Sequence, residues 1–154
     1  LWTAHQGEHL LVSGFVHPPT EARAWDALTL AQELNVLTVK GLEGSTDLPI
    51  SRACVTAHCR GEDRQRLILH PRDHGCFGCD QLWEGLNVWS EQALAALGGQ
   101  GELATALRWN AGVYLWKAGV DSSLDEGLEH GRELLTSGQA LKQLNDVRSL
   151  LING

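Results

Sequence analysis

The run His9-Leu10-Leu11-Val12-Ser13-Gly14-Phe15-Val16 constrains this chain more than any other feature. It is short, apolar and rich in β-branched and aromatic residues. It closes on His17-Pro18-Pro19, a proline pair through which a central strand could not continue. A helix is expected next: Thr20 is placed to cap it, and Ala24, Ala27, Leu28, Ala31 and Leu34 recur along one face. Asn35-Val36-Leu37-Thr38-Val39-Lys40 then reads as a second strand, broken by Gly41 and Gly44. Strand, helix and strand over 9–40, with short joins, predict a βαβ unit with two parallel strands and a right-handed crossover. Functional loops in such sheets lie beyond the carboxyl ends of the strands, which here means His17-Pro18-Pro19 and the loop 41–47.

Downstream, Cys54 to Cys59 and Arg66 to Leu69 flank Gly61-Glu62-Asp63 and predict an antiparallel hairpin over 53–70. An irregular stretch over 71–89 follows, and helices occupy 90–151. Ser90 is placed to cap the first of them and Gly98-Gly99 to stop it. The second carries Leu103, Ala106, Leu107, Asn110 and Tyr114 along one stripe and ends at Gly119. Within that stripe the Asn110 amide reads as a hydrogen-bonding residue of the core. Ser123-Leu124-Asp125-Glu126 has the form of a capping box, opening a helix with Leu124, Leu128, Gly131 and Leu135 inward. The last helix has Leu141, Leu144, Val147 and Leu151. The fold class expected is α/β in a single segment over 1–154, with a parallel βαβ start, a β-hairpin and a helical carboxyl-terminal half.

Composition narrows the function classes. With 154 residues and 43% hydrophobic content, the chain can bury one real core and is not a disordered segment. No apolar run approaches the ~18–20 residues of a membrane span. Twelve Lys+Arg against 19 Asp+Glu give a formal charge of −7, which disfavours holding nucleic acid by counterion release. Six tryptophans read as apolar anchors, Trp109 and Trp116 sharing a helix face. A sequence that opens on Leu1 and contains no methionine is expected to be a piece of a longer polypeptide, whose remainder is then its first partner.

The loop 41–47 is the leading candidate site. Glycines there permit positive φ and close backbone approach, and Glu43 and Asp47 bracket two hydroxyls. Two carboxylates can serve a metal; the bland alternative is a pair of solvated turn residues. Lys40 and His17 stand at the two strand ends, where a surface lysine and a strand-end hydrogen bond are the ordinary readings. The four cysteines form a second candidate. Cys54, Cys59, Cys76 and Cys79 have near the spacing of a four-thiolate zinc site, with His58, His70 and His74 nearby as substitutes. Against zinc, Cys54 and Cys59 differ by five positions, which puts their side chains on opposite faces of a regular strand. A disulfide is the other alternative, and free thiols are the default.

The ordered set of motifs also resembles a known family. Leu11-Val12-Ser13-Gly14-Phe15-Val16-His17-Pro18, then Leu37-Thr38-Val39-Lys40-Gly41-Leu42-Glu43-Gly44, is similar to the second half of anthranilate phosphoribosyltransferase-like proteins of glycosyltransferase family 3. Leu107-Arg108-Trp109-Asn110-Ala111-Gly112, Ala118-Gly119, Ser123-Leu124-Asp125-Glu126-Gly127 and Ser137-Gly138 follow the family's ending in order. His70-Pro71-Arg72-Asp73-His74-Gly75 sits where the family carries an acidic Pro-x-Asp-x-Gly segment. The resemblance implies the carboxyl-terminal part of a phosphoribosyltransferase-like α/β domain. It further implies pentosyl transfer from a phosphoribosyl diphosphate-type donor with magnesium, as in tryptophan biosynthesis, by a cytoplasmic homodimer. Lys40-Gly41 stands where the transferases have His-Gly, and Thr46-Asp47 where they have the Asp-Glu pair that holds magnesium. The resemblance thereby assigns Lys40, Gly41 and His17 to substrate and Glu43 and Asp47 to the metal. Lys40-Gly41-Leu42-Glu43-Gly44-Ser45 looks more like a divergent branch that lacks the usual metal residues, some of whose members hold nucleic acid. That branch supplies the alternative reading, a non-catalytic nucleic-acid-binding member; a zinc-stabilised structural module is the second alternative.

Overall fold

The computed structural model describes residues 9–28 and 34–153. Four strands, β1 (Leu11–Gly14), β2 (Asn35–Val39), β3 (Cys54–Arg60) and β4 (Asp63–Leu69), form one sheet in the order β1-β2-β3-β4. The first pair is parallel, with Val12 opposite Leu37 and Gly14 opposite Val39. The next two pairs are antiparallel. The βαβ start and the hairpin are therefore both present, and β1, β2 and β4 all run the same way. Their carboxyl ends gather at one end of the sheet.

Five helices complete the chain: α1 (Pro18–Leu28), α2 (Leu86–Leu97), α3 (Glu102–Ala118), α4 (Leu124–Thr136) and α5 (Gln139–Asn153). One sheet face carries Leu37, Val39, Cys54 and Leu69 into a core with Trp109 and Val113 of α3 and Leu124 and Leu128 of α4. The other face carries Val36, Ala57 and Cys59, all buried. There the Arg64 guanidinium, paired in register with Cys59, stands 5.9 Å from the ring of Trp25 on α1. Being covered on both faces explains why four of the five residues of β2 are buried, Thr38 among them, with no alternation of burial along the strand. By contrast, β4 is mostly exposed, as befits a sheet edge with three charged residues among its first four.

Several local expectations shift. Helix α1 begins at Pro18, before Thr20, because proline is pre-organised for the first helical turn and the His17 carbonyl accepts the Thr20 N–H at 3.0 Å. Its expected inward positions Ala24 and Ala27 are exposed, whereas Glu21 is buried and Trp25 half-buried; Ala31 lies outside the described residues. Helix α2 begins at Leu86, four residues before Ser90, directly after Gly85 at φ 106°. The sequence hid that turn because no side-chain cap precedes Leu86. The capping box of α4 forms with a displacement of one residue. Ser123 Oγ accepts the Glu126 N–H at 3.2 Å, but the Glu126 carboxylate reaches back to Ser122, not Ser123. That hydrogen bonding holds the Glu126 carboxyl below its usual range. On α5, Leu141 and Leu144 are half-buried, while Val147 and Leu151 are exposed.

Close contact between α3 and α4 depends on small residues. An ideal Cβ on Gly127 would stand 2.4 Å from the Gly112 carbonyl oxygen, so only two glycines allow this approach. The close crossing brings Trp109 and Val113 to zero exposure against the sheet. It leaves the half-buried side of α3, with Asn110 and Tyr114, to meet the loop that follows β2.

Candidate functional site at the strand carboxyl ends

The loop beyond β2 opens with a short 3-10 turn, Leu42–Gly44. Glu43 adopts φ 51° and ψ 25°, a left-handed conformation uncommon for a residue with a side chain. Strain of this kind is found where surrounding structure fixes the backbone, frequently at functional loops. The fixing contacts are identifiable. The Leu42 N–H donates to the Asp47 carbonyl at 2.8 Å, closing the loop on itself. Ser45 Oγ accepts the Asp47 N–H at 3.1 Å and lies 3.3 Å from the Asp47 carboxylate, to which it donates.

Glycines let this loop sit directly on β1. A Cβ on Gly14 would stand 2.3 Å from the Gly44 carbonyl oxygen, and one on Gly41 2.3 Å from that of Ser45. Gly44 has φ 82°, whereas Gly41 is needed for closeness alone.

From beneath, α3 holds the far end of the loop with two side chains one turn apart. Asn110 Oδ1 accepts the Leu48 N–H at 2.8 Å, and its Nδ2 donates to the Leu48 carbonyl at 3.1 Å and to that of Ala106 at 2.9 Å. The amide thus satisfies both backbone groups of a buried residue, as a neighbouring strand would. Tyr114 donates its phenol to the Thr46 carbonyl. Burial pushes that phenol up to about 12 despite the hydrogen bond. The stripe Leu103 to Tyr114 is therefore the loop-holding side of α3, and the deep core belongs to Trp109, Gly112 and Val113. Asp80 continues the anchoring: its carboxylate accepts the N–H groups of Ile50 and Ser51 at 2.9 and 3.3 Å, and Ser51 Oγ at 2.5 Å. Tyr114 and Asp80 carry no motif of their own in the sequence; only their partners' positions in space reveal the role.

Of the residues singled out from sequence, Glu43 and Asp47 are both exposed on this loop, and Lys40 is exposed at its base. The Lys40 N–H donates to the Val55 carbonyl at 2.9 Å, fixing the lysine beside the start of β3. His17 is exposed at the carboxyl end of β1, its carbonyl capping the first turn of α1. All five positions, Gly41 included, share one end of the sheet.

The cysteines do not gather. All four are free; Cys54 faces the helical core and Cys59 the opposite face, Cys76 is buried and Cys79 exposed. Burial pushes the Cys54 thiol up to about 11 and raises that of Cys76. The three histidines have separate partners or places: His58 Nε2 lies 2.7 Å from Asn35 Oδ1, His74 Nδ1 2.8 Å from Asp125 Oδ1, and His70 is exposed after β4. Among the described residues no three Cys, His, Asp or Glu side chains converge as metal ligands.

Comparison with known proteins agrees with the fold. No protein-family profile matches the chain. It is 27% identical over 141 residues to the anthranilate phosphoribosyltransferase of Laribacter hongkongensis, covering 89% of this chain and 41% of that protein. It is 29% identical over 129 residues to that of Bacillus subtilis, covering 79% and 38%. The crystal structure of the Thermus thermophilus enzyme superposes with a TM-score of 0.64 at 27% identity, covering 86% of this chain and 40% of that one. A variant of the Saccharomyces cerevisiae enzyme, solved with Mg bound, superposes with a TM-score of 0.71 at 17% identity, over 89% and 41%. The chain spans about two-fifths of the length of these relatives.

Proposed function

We propose that this chain, a divergent relative of the anthranilate phosphoribosyltransferases, is the part of a pentosyl-transferring protein that presents the acidic loop of the donor site. One observation carries the reading. The loop 41–47 lies at the shared carboxyl end of parallel strands, its backbone anchored by Asn110 and Tyr114, and both of its carboxylates face outward. A loop anchored on its inner side and charged on its outer side is suited to meeting a ligand.

The donor set suits magnesium. Mg²⁺ takes oxygen ligands, commonly one or two carboxylates completed by phosphate and water. Glu43 and Asp47 supply two exposed carboxylates, and neither is committed to a lysine or arginine among the described residues. In the proposed role they would hold the ion, whose positive charge offsets that of the donor's diphosphate as it leaves. The chain's own residues position. Gly41 lets the loop backbone sit close against the sheet, and Lys40, exposed at the loop base, would offer its ammonium to the diphosphate. His17 stands across from them at the end of β1. Ser45 orients the Asp47 carboxylate through its hydroxyl. Nucleic acid, the competing ligand, is opposed by the charge of −7.

The test is titration calorimetry of phosphoribosyl diphosphate into the full-length parent with magnesium present, followed by a transfer assay with anthranilate. The double variant E43Q/D47N is expected to weaken donor binding by about tenfold or more, the loss of roughly 1.4 kcal/mol of binding free energy. Unchanged affinity in that variant refutes the assignment of the loop.

A further inference from the structure

The same end of the sheet holds a second cleft that the donor-loop reading does not use. It lies between the start of β3 and the end of β4, measures about 200 Å³, and is lined chiefly by Ser51, Arg52, His70, Arg72, Asp73 and Phe77. We propose that this cleft is a binding site for a phosphomonoester carried on a hydroxylated compound, such as a sugar phosphate.

The argument starts from the two arginines. The Arg72 guanidinium stacks over the Phe77 ring, 4.1 Å from its centroid. Stacking engages the face of the cation and leaves its in-plane N–H donors unspent. Among the described residues that guanidinium makes no hydrogen bond and no ion pair. It is a planar donor fork held in place by an aromatic ring, which is the arrangement suited to two parallel hydrogen bonds to one oxyanion. Arg52 contributes the second cation. One of its nitrogens lies 3.3 Å from Asp80, and that carboxylate already accepts two backbone N–H groups and the Ser51 hydroxyl. Asp80 therefore anchors Arg52 by one contact and leaves its other donors for a ligand. His70 adds an imidazole to the wall.

Charge and size set the ligand class. Arg52 and Arg72 bring two guanidiniums to the cleft; Asp80 offsets the charge of Arg52 and Asp73 stands in the lining, so what draws an oxyanion is the unspent donor fork of Arg72, joined by the remaining donors of Arg52. Asp73 is the one carboxylate in the lining, and it would oppose a bare anion. Its acceptor oxygens instead suit the hydroxyl groups of a carrier attached to the phosphate. A volume near 200 Å³ is below that of a drug-sized pocket, which begins at about 300 Å³, and matches a small phosphorylated compound.

The site is independent of Glu43 and Asp47, so its test contains no magnesium. Ribose 5-phosphate and inorganic phosphate are titrated separately into the chain at low ionic strength, followed by calorimetry. Saturable binding is expected for both, tighter for ribose 5-phosphate. R72A is expected to lower either affinity at least about tenfold, because charge-assisted hydrogen bonds are lost. F77L lowers both by about two- to fivefold through loss of the stack. D73N weakens ribose 5-phosphate selectively and leaves inorganic phosphate unchanged or tighter. R132Q, on the exposed outer side of α4, serves as the charge-loss control and should change nothing. Circular dichroism of each variant confirms that the fold is retained. Absence of saturable binding up to tens of millimolar, or R72A binding as wild type does, overturns the site. Equal affinity for the two ligands removes the hydroxylated carrier.

Discussion

Replacing Asn110 by alanine tests how the candidate loop is held. The amide satisfies two backbone groups of Leu48, a residue only 1% exposed. Truncation orphans the Leu48 N–H and carbonyl together; the Ala106 carbonyl is different, because helix hydrogen bonding still serves it. Each orphaned buried group costs about 1–3 kcal/mol, and a water entering the vacated space could recover part of the loss, so about 2–4 kcal/mol is expected. For a chain of this length that lowers the melting midpoint by roughly 4–16 °C. Urea unfolding followed by tryptophan fluorescence measures the free energy, and native-state hydrogen exchange at the Leu48 amide locates it. Exchange at Leu48 should accelerate well beyond that of the β2 amides. Asn110→Asp, which keeps the acceptor for the Leu48 N–H but cannot donate, should be at least as destabilising as alanine. A loss under about 0.5 kcal/mol, the range of ordinary surface substitutions, with Leu48 still protected, would refute the bridging role.

Two further perturbations address the core. Gly127→Ala is expected to destabilise by about 1–3 kcal/mol through overpacking against the Gly112 carbonyl, outweighing alanine's helix advantage of roughly 0.8–1 kcal/mol. Gly131→Ala, one turn on, meets only ordinary contacts from 3.4 Å outward and should be neutral or stabilising by urea denaturation. The alkaline limb of stability should carry the signature of Cys54. Burial raises its folded value to about 11 from the ordinary 9.0, so its contribution is complete below pH 9 and disappears as the pH rises through 11. Cys54→Ala should reduce that fall, leaving the share of Cys76, whose thiol burial also raises, and the later one from Tyr114 between about 10 and 12; an unaltered pH 9–11 slope in thermal melts would contradict it.

The fold was legible where local pattern and tertiary environment agree. The proline pair after His17 and the run Asn35–Val39, three of whose five residues are β-branched, specify a parallel pair, since the intervening segment is too long for a hairpin and has helical periodicity. Five-residue spacing likewise separated Cys54 from Cys59 onto opposite faces of β3. Periodicity failed where a helix is enclosed on several sides. On α3 both the Trp109–Val113 side and the Asn110–Tyr114 side are at least half-buried, so apolar spacing alone could not rank them. What ranks them is the pair Gly112 and Gly127, whose absent side chains decide which side of α3 meets α4.

The candidate site divides along the same line. Glu43, Asp47, Lys40 and the glycines of the loop were readable because they adjoin one another in sequence at a strand end. The groups that fix them were not, because Asn110, Tyr114 and Asp80 lie 29 to 68 residues away from the backbone they hold. The consequence is physical. A loop with a left-handed Glu43 and close backbone contacts to β1 is costly by itself, and it keeps that shape only if distant side chains occupy the donors and acceptors it cannot pair internally. Loop chemistry and loop geometry are thus encoded in different parts of the chain. Changing Glu43 or Asp47 alters what the loop can bind, whereas changing Asn110 alters whether the loop is presented at all.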